Sequence, residues 1–166
     1  YRISLVDECS DWKRKVISLL DQVFPEYSSF FSDTFGVTSK EVLLKYPTPE
    51  DMITVSSKKL TTLLNKASKG RFNINKTKQL KETANNSFGI KFAKDAFSFQ
   101  IKQMISQIIF IENQLNDLEK EISSLLHETN HVITSIIGIG DVLGALIIGE
   151  IGDISRFESA PKLVAF

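Results

Sequence analysis

A single cysteine, Cys9, stands in the 166 residues, so no internal disulfide framework is available, and a lone thiol fits a reducing compartment. No apolar run approaches the roughly 20 residues that a membrane-spanning helix needs, because Gln and Lys interrupt the richest one. Nor is there a charged start followed by an apolar core and a small-residue cleavage site, so no signal peptide is visible. Together these absences predict a cytoplasmic protein. Alternation of apolar and polar residues is missing as well: no run reads as a strand, and the expected fold class is all-α. Net charge is absent too, since 20 Lys and Arg balance 20 Asp and Glu, which ordinarily argues against a nucleic-acid partner.

The balance hides a strong polarity. Between Ser56 and Lys94, ten cations (Lys58, Lys59, Lys66, Lys69, Arg71, Lys76, Lys78, Lys81, Lys91 and Lys94) meet one acid, Glu82, for a segment charge of +9. A one-sided basic field attracts polyanions. The same lysines also suit a solvated helical surface on which they confer solubility alone. With 42% hydrophobic and 24% charged residues, the remaining composition is that of a soluble globular protein. Its length suits one domain, or two small lobes joined by a long element. The chain opens inside a helical pattern and stops at "PKLVAF" without a terminating signal, as a segment of a longer protein would.

Helical grammar runs along the whole sequence. Leu5, Trp12, Val16, Leu19, Leu20 and Val23 recur at three- and four-residue intervals and predict an amphipathic helix stopped before Pro25. A short helix follows, capped by Thr38 or Ser39 and ended by Pro47 and Pro49. "SSKKLTTLLNKASKG" has a Ser cap and a Gly stop around Leu60, Leu63 and Leu64, and "NKTKQLKETANNSFG" repeats that grammar. Residues 38–90 thus read as a small helical lobe carrying most of the basic charge. From Phe97 the pattern becomes one seam with no Gly or Pro inside it. Its heptad a positions are Ile101, Ile108, Leu115 and Ile122; its d positions are Met104, Ile111, Leu118 and Leu125. Ile105, Ile109 and Phe110 widen the apolar face in the first half, whereas Glu112, Glu119 and Glu121 flank a narrower stripe in the second. We expect a helix of about 50 Å whose first half packs on other helices and whose second half pairs. The partner can be a second copy or this chain's own first helix, because intramolecular bundles use the same seam.

Candidate chemistry is sparse. "HETNH", His127 to His131, matches the HExxH zinc pattern literally, but the heptad places both imidazoles away from the seam, facing open solvent with no pocket to exclude water. Gly138, Gly140 and Gly144 are spaced GxGxxxG with no preceding strand, so a dinucleotide fingerprint fails. Asp141, Glu150 and Asp153 occur singly and mark no metal set, and Cys9 has no His nearby in sequence. "SIIGIGDVLGALIIGEIGDISRF" reads better as a helical hairpin: an apolar helix end over Val132 to Ile136, a tight turn at Gly138-Ile139-Gly140, and a helix from about Asp141 to Ile151 burying Val142, Ala145, Leu146 and Ile148. Free N–H groups at the start of that helix can hold a phosphate without reading a base, the helix-hairpin-helix solution to DNA binding. A purely structural hairpin fits the same residues, since Asp141 puts negative charge where a phosphate would sit.

The stretch "IIGIGDVLGALIIGEIGDISRFESAPKLVAF" is similar to the start of the C-terminal domain of insertion-sequence 110 (also called 116/902) transposases. Their usual form reads I-P-G-I-G, a small-residue helix, E-I-G-D, an R-F pair and a K-L helix. Gly138, Ile139, Gly140, Ala145, Glu150, Ile151, Gly152, Asp153, Arg156, Phe157, Lys162 and Leu163 match, and Ile137 replaces the family's proline. "YRISLVDECSDWKRKVISLLDQVFPEY" and "LLKYPTPEDM" also resemble the family's connecting region. The resemblance implies a DNA transposase or recombinase whose N-terminal RuvC-like domain supplies four acids for a divalent metal such as Mg, and whose C-terminal domain supplies a nucleophilic serine. It further implies a dimerising coiled coil between the two and an element-encoded guide RNA. None of the catalytic residues maps onto this chain; Ser155 and Ser159 do not occupy the serine motif.

The organisation expected is therefore a helical region with the basic lobe over residues 1–95, a long dimerisation helix over 96–130, and the helix-hairpin-helix-like start of the transposase domain over 131–166. Lys58, Lys59, Lys69, Arg71, Lys76 and Lys78 are the candidates for neutralising DNA or guide RNA, and the Gly138-Ile139-Gly140 backbone for phosphate capture. The eight a and d positions are the candidates for pairing two copies. The competing expectation is a helical coiled-coil adaptor whose lysines only solvate it.

Overall fold

The computed structural model describes residues 1–129 and 132–164. They are all-α, with no strand among the described residues, and no described helix is long and apolar enough to cross a membrane. The chain divides into two compact units, Tyr1–Glu112 and Asn113–Phe166, and the boundary falls inside one long helix.

In the first unit, α1 (Arg2–Val23) buries Leu5, Cys9, Val16, Leu20 and Val23 along one stripe. Pro25 lacks an amide to continue the helix, and the chain turns into α2 (Tyr27–Phe30) through buried Phe24. Tyr27 is fully buried, with ring centroids 5.6 Å from Phe24 and 5.3 Å from Phe31. Its hydroxyl donates to the Ser39 carbonyl at 3.0 Å and lies 2.9 Å from the Ser39 hydroxyl, so the phenol enters the core fully partnered.

Helix α3 (Val37–Lys45) is capped by Gly36 and not by Thr38 or Ser39, which lie inside it. Ser39 has exchanged a capping role for the bond to Tyr27. Pro49 also acts differently from the expectation. It opens α4 (Pro49–Thr54), at the first helical position where its missing amide costs nothing, behind a Thr48/Asp51 capping box. Helix α5 (Ser57–Ala67) has the Ser56 cap, and α6 (Ile74–Asn85) is capped by Asn73. Leu60, Leu64 and Leu80 are fully buried between these helices, and the Thr61 and Thr77 hydroxyls meet at 2.9 Å.

Helix α7 (Lys94–Glu128) supplies the last wall of this unit. Ile101, Ile105 and Ile108 have no exposed surface, and Ile111 has 1%. These side chains, three of them at the a and d positions expected to pair, lie in the interior of the chain, as the expectation that the first half of the helix packs on other helices requires. Phe110 points the other way, 56% exposed, and does not widen the buried face. Glu112, expected to flank the seam, receives hydrogen bonds from Lys40 of α3 and, at 3.0 Å, Lys13 of α1.

The second unit contains the end of α7, a 3-10 turn at Val132–Ser135, α8 (Asp141–Ile151), a 3-10 turn at Ile154–Arg156 and α9 (Ala160–Val164). α7 ends at Glu128, and the helix end expected over Val132 to Ile136 is a 3-10 turn over Val132–Ser135. Leu126 is buried where the heptad predicted Leu125, which is 53% exposed. In α8, Gly144 is buried instead of Leu146, which is 52% exposed. A Cβ on Gly144 would lie 3.0 Å from Ile133 and 3.4 Å from Leu126, so the glycine lets α8 approach these side chains.

Candidate nucleic-acid interface

The cations of the basic lobe line more than one groove. Lys58 and Lys59 occupy the first turn of α5 and are exposed. Packing of α5 against α3 brings them to one open groove with Lys66 and with Lys45 from the last turn of α3. Four lysines thus line this groove together with Tyr46, Ser56, Thr62 and Leu63, and no acid does. Lys45 escaped the sequence reading because it precedes the basic run; its position at the end of a short helix packed on α5 is what recruits it.

Lys69 and Arg71 lie elsewhere, in a groove shared with the start of α3 and with Asp33. The loop that presents them is fixed by buried Ser68, whose hydroxyl accepts from Phe72 N at 2.8 Å while its carbonyl accepts from Arg71 Nε at 3.2 Å. Lys69 itself has φ +53, next to Gly70 at φ +86. Lys76 is half-buried, its ammonium 4.0 Å from the Phe30 ring centroid and 5.7 Å from that of Phe72. Lys78 is exposed on α6. Lys81 serves the fold: its ammonium donates to the Val55 and, at 3.0 Å, Ile53 carbonyls at the end of α4, where a cation opposes the negative helix terminus.

In the second unit, Gly138 adopts φ +94, a conformation that side-chain-bearing residues rarely hold, and Ile139 is half-buried with its amide donating to Ile136 O at 3.0 Å. Gly140 is the N-cap of α8 with φ −84, and nothing lies within 4 Å of where its Cβ would stand. Asp141 turns its carboxylate back to α7, accepting from the Ser123 hydroxyl and lying 3.3 Å from His127 Nε2. The Ser123 hydroxyl chiefly, with help from His127, holds this carboxyl below the ordinary range. Its charge is thus drawn toward α7 from the open start of α8.

The block that follows is turn chemistry. Gly152 stops α8 at φ +63 with its amide on Ile148 O at 2.8 Å. Asp153 then accepts from Ser155 N at 2.9 Å and from the Ser155 hydroxyl at 2.8 Å, which keeps its carboxyl ionised below the usual range. The Arg156 guanidinium lies 5.1 Å from the Phe157 ring centroid. Each feature positions backbone, and none presents a nucleophile. His131, the second imidazole of the HExxH pattern, lies outside the described residues. Among the described residues no group of three or more His, Cys, Asp or Glu could hold a metal ion.

Residues 130–166 match the sequence model described as Transposase IS116/IS110/IS902 family. A curated protein of Streptomyces coelicolor, named "Mini-circle putative transposase for IS117", is 25% identical over 169 aligned residues, covering 93% of this chain and 41% of that protein. The chain therefore spans about 41% of the length of the curated relative it matches. No solved structure matches it. With the family model on the glycine turn and EIGD block, and the relative aligned along most of the rest, the similarity to insertion-sequence 110 transposases read from those residues holds.

Proposed function

We propose that this chain is a connecting segment of a transposase acting in DNA transposition, where it grips sugar-phosphate backbone and pairs two copies of the protein. One observation carries the backbone contact: Lys45, Lys58, Lys59 and Lys66, drawn from two packed helices, converge on an acid-free groove. Such a set neutralises phosphates without reading bases. The Gly138 to Gly140 turn adds amides at the start of α8. Pairing is left to the second half of α7, where Leu115, Leu118 and Ile122 are half-buried and Leu125 is exposed.

Fluorescence anisotropy with a labelled DNA duplex and a hairpin RNA, over a salt series, tests the reading and compares the two polyanions. Affinity should fall with a log-log slope of about −3 to −4, as about four neutralised phosphates require. Replacing Lys58 and Lys59 with Ala should flatten the slope by roughly 2. A folded chain that sediments as a dimer and binds neither probe at low salt is a helical adaptor, and the proposal fails.

A further inference from the structure

We propose that Phe88 is a stacking platform for an unpaired nucleobase, so that the basic lobe holds single-stranded nucleic acid alongside the backbone contacts proposed above, on which this inference rests. Among the described residues every exposed phenylalanine lies between positions 88 and 110, and Phe88, at 81% exposed, is the barest of them. Its backbone is nonetheless clamped on both sides. The Ser87 hydroxyl donates to Glu26 Oε2 at 2.7 Å, and Phe88 N to Glu26 Oε1 at 3.3 Å. Gly89 presses against α1 so closely that a Cβ would fall 2.0 Å from the Val23 carbonyl oxygen, and Ile90 N donates to Gln22 O at 2.8 Å.

A loop tied down at residues 87, 89 and 90 leaves the ring of Phe88 projecting into water with only its own two torsions free. Ordering such a ring against a ligand loses little entropy. The surroundings select the ligand. Lys91 and Lys94 follow Phe88 in sequence and are exposed, with Phe92 between them at 74% exposed. Alternating rings and ammonium groups suit a chain of stacked bases joined by phosphates. Glu26, which anchors Phe88, also lines an open groove of about 560 Å³ with Phe30, Lys76, Gln79, Thr83, Asn86 and a second carboxylate, Glu82. That groove offers amide and hydroxyl groups to base edges beside the Lys76 ammonium, and a duplex, whose base faces are already stacked, cannot use the ring.

The test uses the full chain, a labelled single-stranded oligonucleotide in DNA and RNA forms, and the matching duplex. Phe88→Ala should weaken single-strand binding about 5- to 100-fold while leaving duplex affinity, salt slope and thermal midpoint unchanged. Phe88→Trp should retain binding, and its indole emission should be quenched by the single strand above the constant signal of Trp12. Unchanged single-strand affinity in the alanine variant overturns the platform while the backbone reading stands. Equal weakening of the duplex also overturns it, as does lost self-association in sedimentation, which would assign the ring to a protein contact. Binding of neither probe by the unsubstituted chain removes both proposals.

Discussion

Of three glycines in the second unit, two need to be glycine and one does not, and their backbone angles reveal this. Gly138 and Gly152 hold φ +94 and φ +63, where an added Cβ strains the chain, so either residue changed to Ala should destabilise by about 1–3 kcal/mol. Gly140, at φ −84 with open space around its missing Cβ, has no such requirement. Gly140→Ala should change stability by less than about 1 kcal/mol, because the gain through the unfolded chain is opposed by alanine's poorer service as the α8 N-cap. If the turn receives a phosphate, the same variant lowers affinity for a duplex; calorimetric unfolding and anisotropy on one sample separate the two effects. In the sequence the glycines of the GIG motif look interchangeable. Their spacing marks a turn, but which of them needs a left-handed angle depends on how the chain leaves the 3-10 turn, and no local pattern encodes that.

Charge placement within a helix carries a similar message for elements. Lys58 and Lys59 sit in the first turn of α5, where the exposed amides already create positive potential, and no acid offsets them. Replacing both with Glu should stabilise the helix by roughly 0.3–1 kcal/mol per site while weakening polyanion binding. Thermal unfolding should rise as anisotropy-measured affinity falls; a fall in both would assign the lysines to the fold. The elements themselves were legible. Periodicity and caps located α1, α5, α6 and α7, and the second helix of the expected hairpin coincides with α8. What periodicity left open was the partner of α7. A heptad stripe reports an apolar face, not whose side chains cover it, and Ile101, Ile105, Ile108 and Ile111 are buried within the chain. The caps were harder where two elements abut. Thr38 and Ser39 are good N-cap residues locally, but the Tyr27 hydroxyl competes for Ser39 across 12 positions of sequence.

Across the whole molecule, zero net charge conceals both a segment of +9 and an ion cluster that no sequence window could show. Glu112 of α7 binds Lys13 of α1 and Lys40 of α3, joining three helices through one carboxylate. Burial opposes the charge on Glu112, yet the hydrogen bonds from Lys40 and Lys13 outweigh it and hold the carboxyl below its ordinary value of 4.5. For Lys13, burial also works against the charge, and the bond to Glu112 again wins, raising the ammonium above its ordinary 10.5. A lowered carboxyl contributes stability above its unfolded value and loses it as pH falls through the folded one; a raised ammonium contributes below its unfolded value and loses it as pH rises through the folded one. The cluster therefore stabilises the first unit evenly between these limits and fails at acid pH when Glu112 takes up a proton. Glu112→Gln should cost about 1–3 kcal/mol near neutrality, because two half-buried ammonium groups lose their anion, and it should flatten the acid limb of the stability curve. Circular dichroism melts from about pH 3 to about pH 7 would show the unsubstituted chain and the variant converging as the pH falls. Parallel curves at all pH values would mean that the carboxylate contributes packing alone.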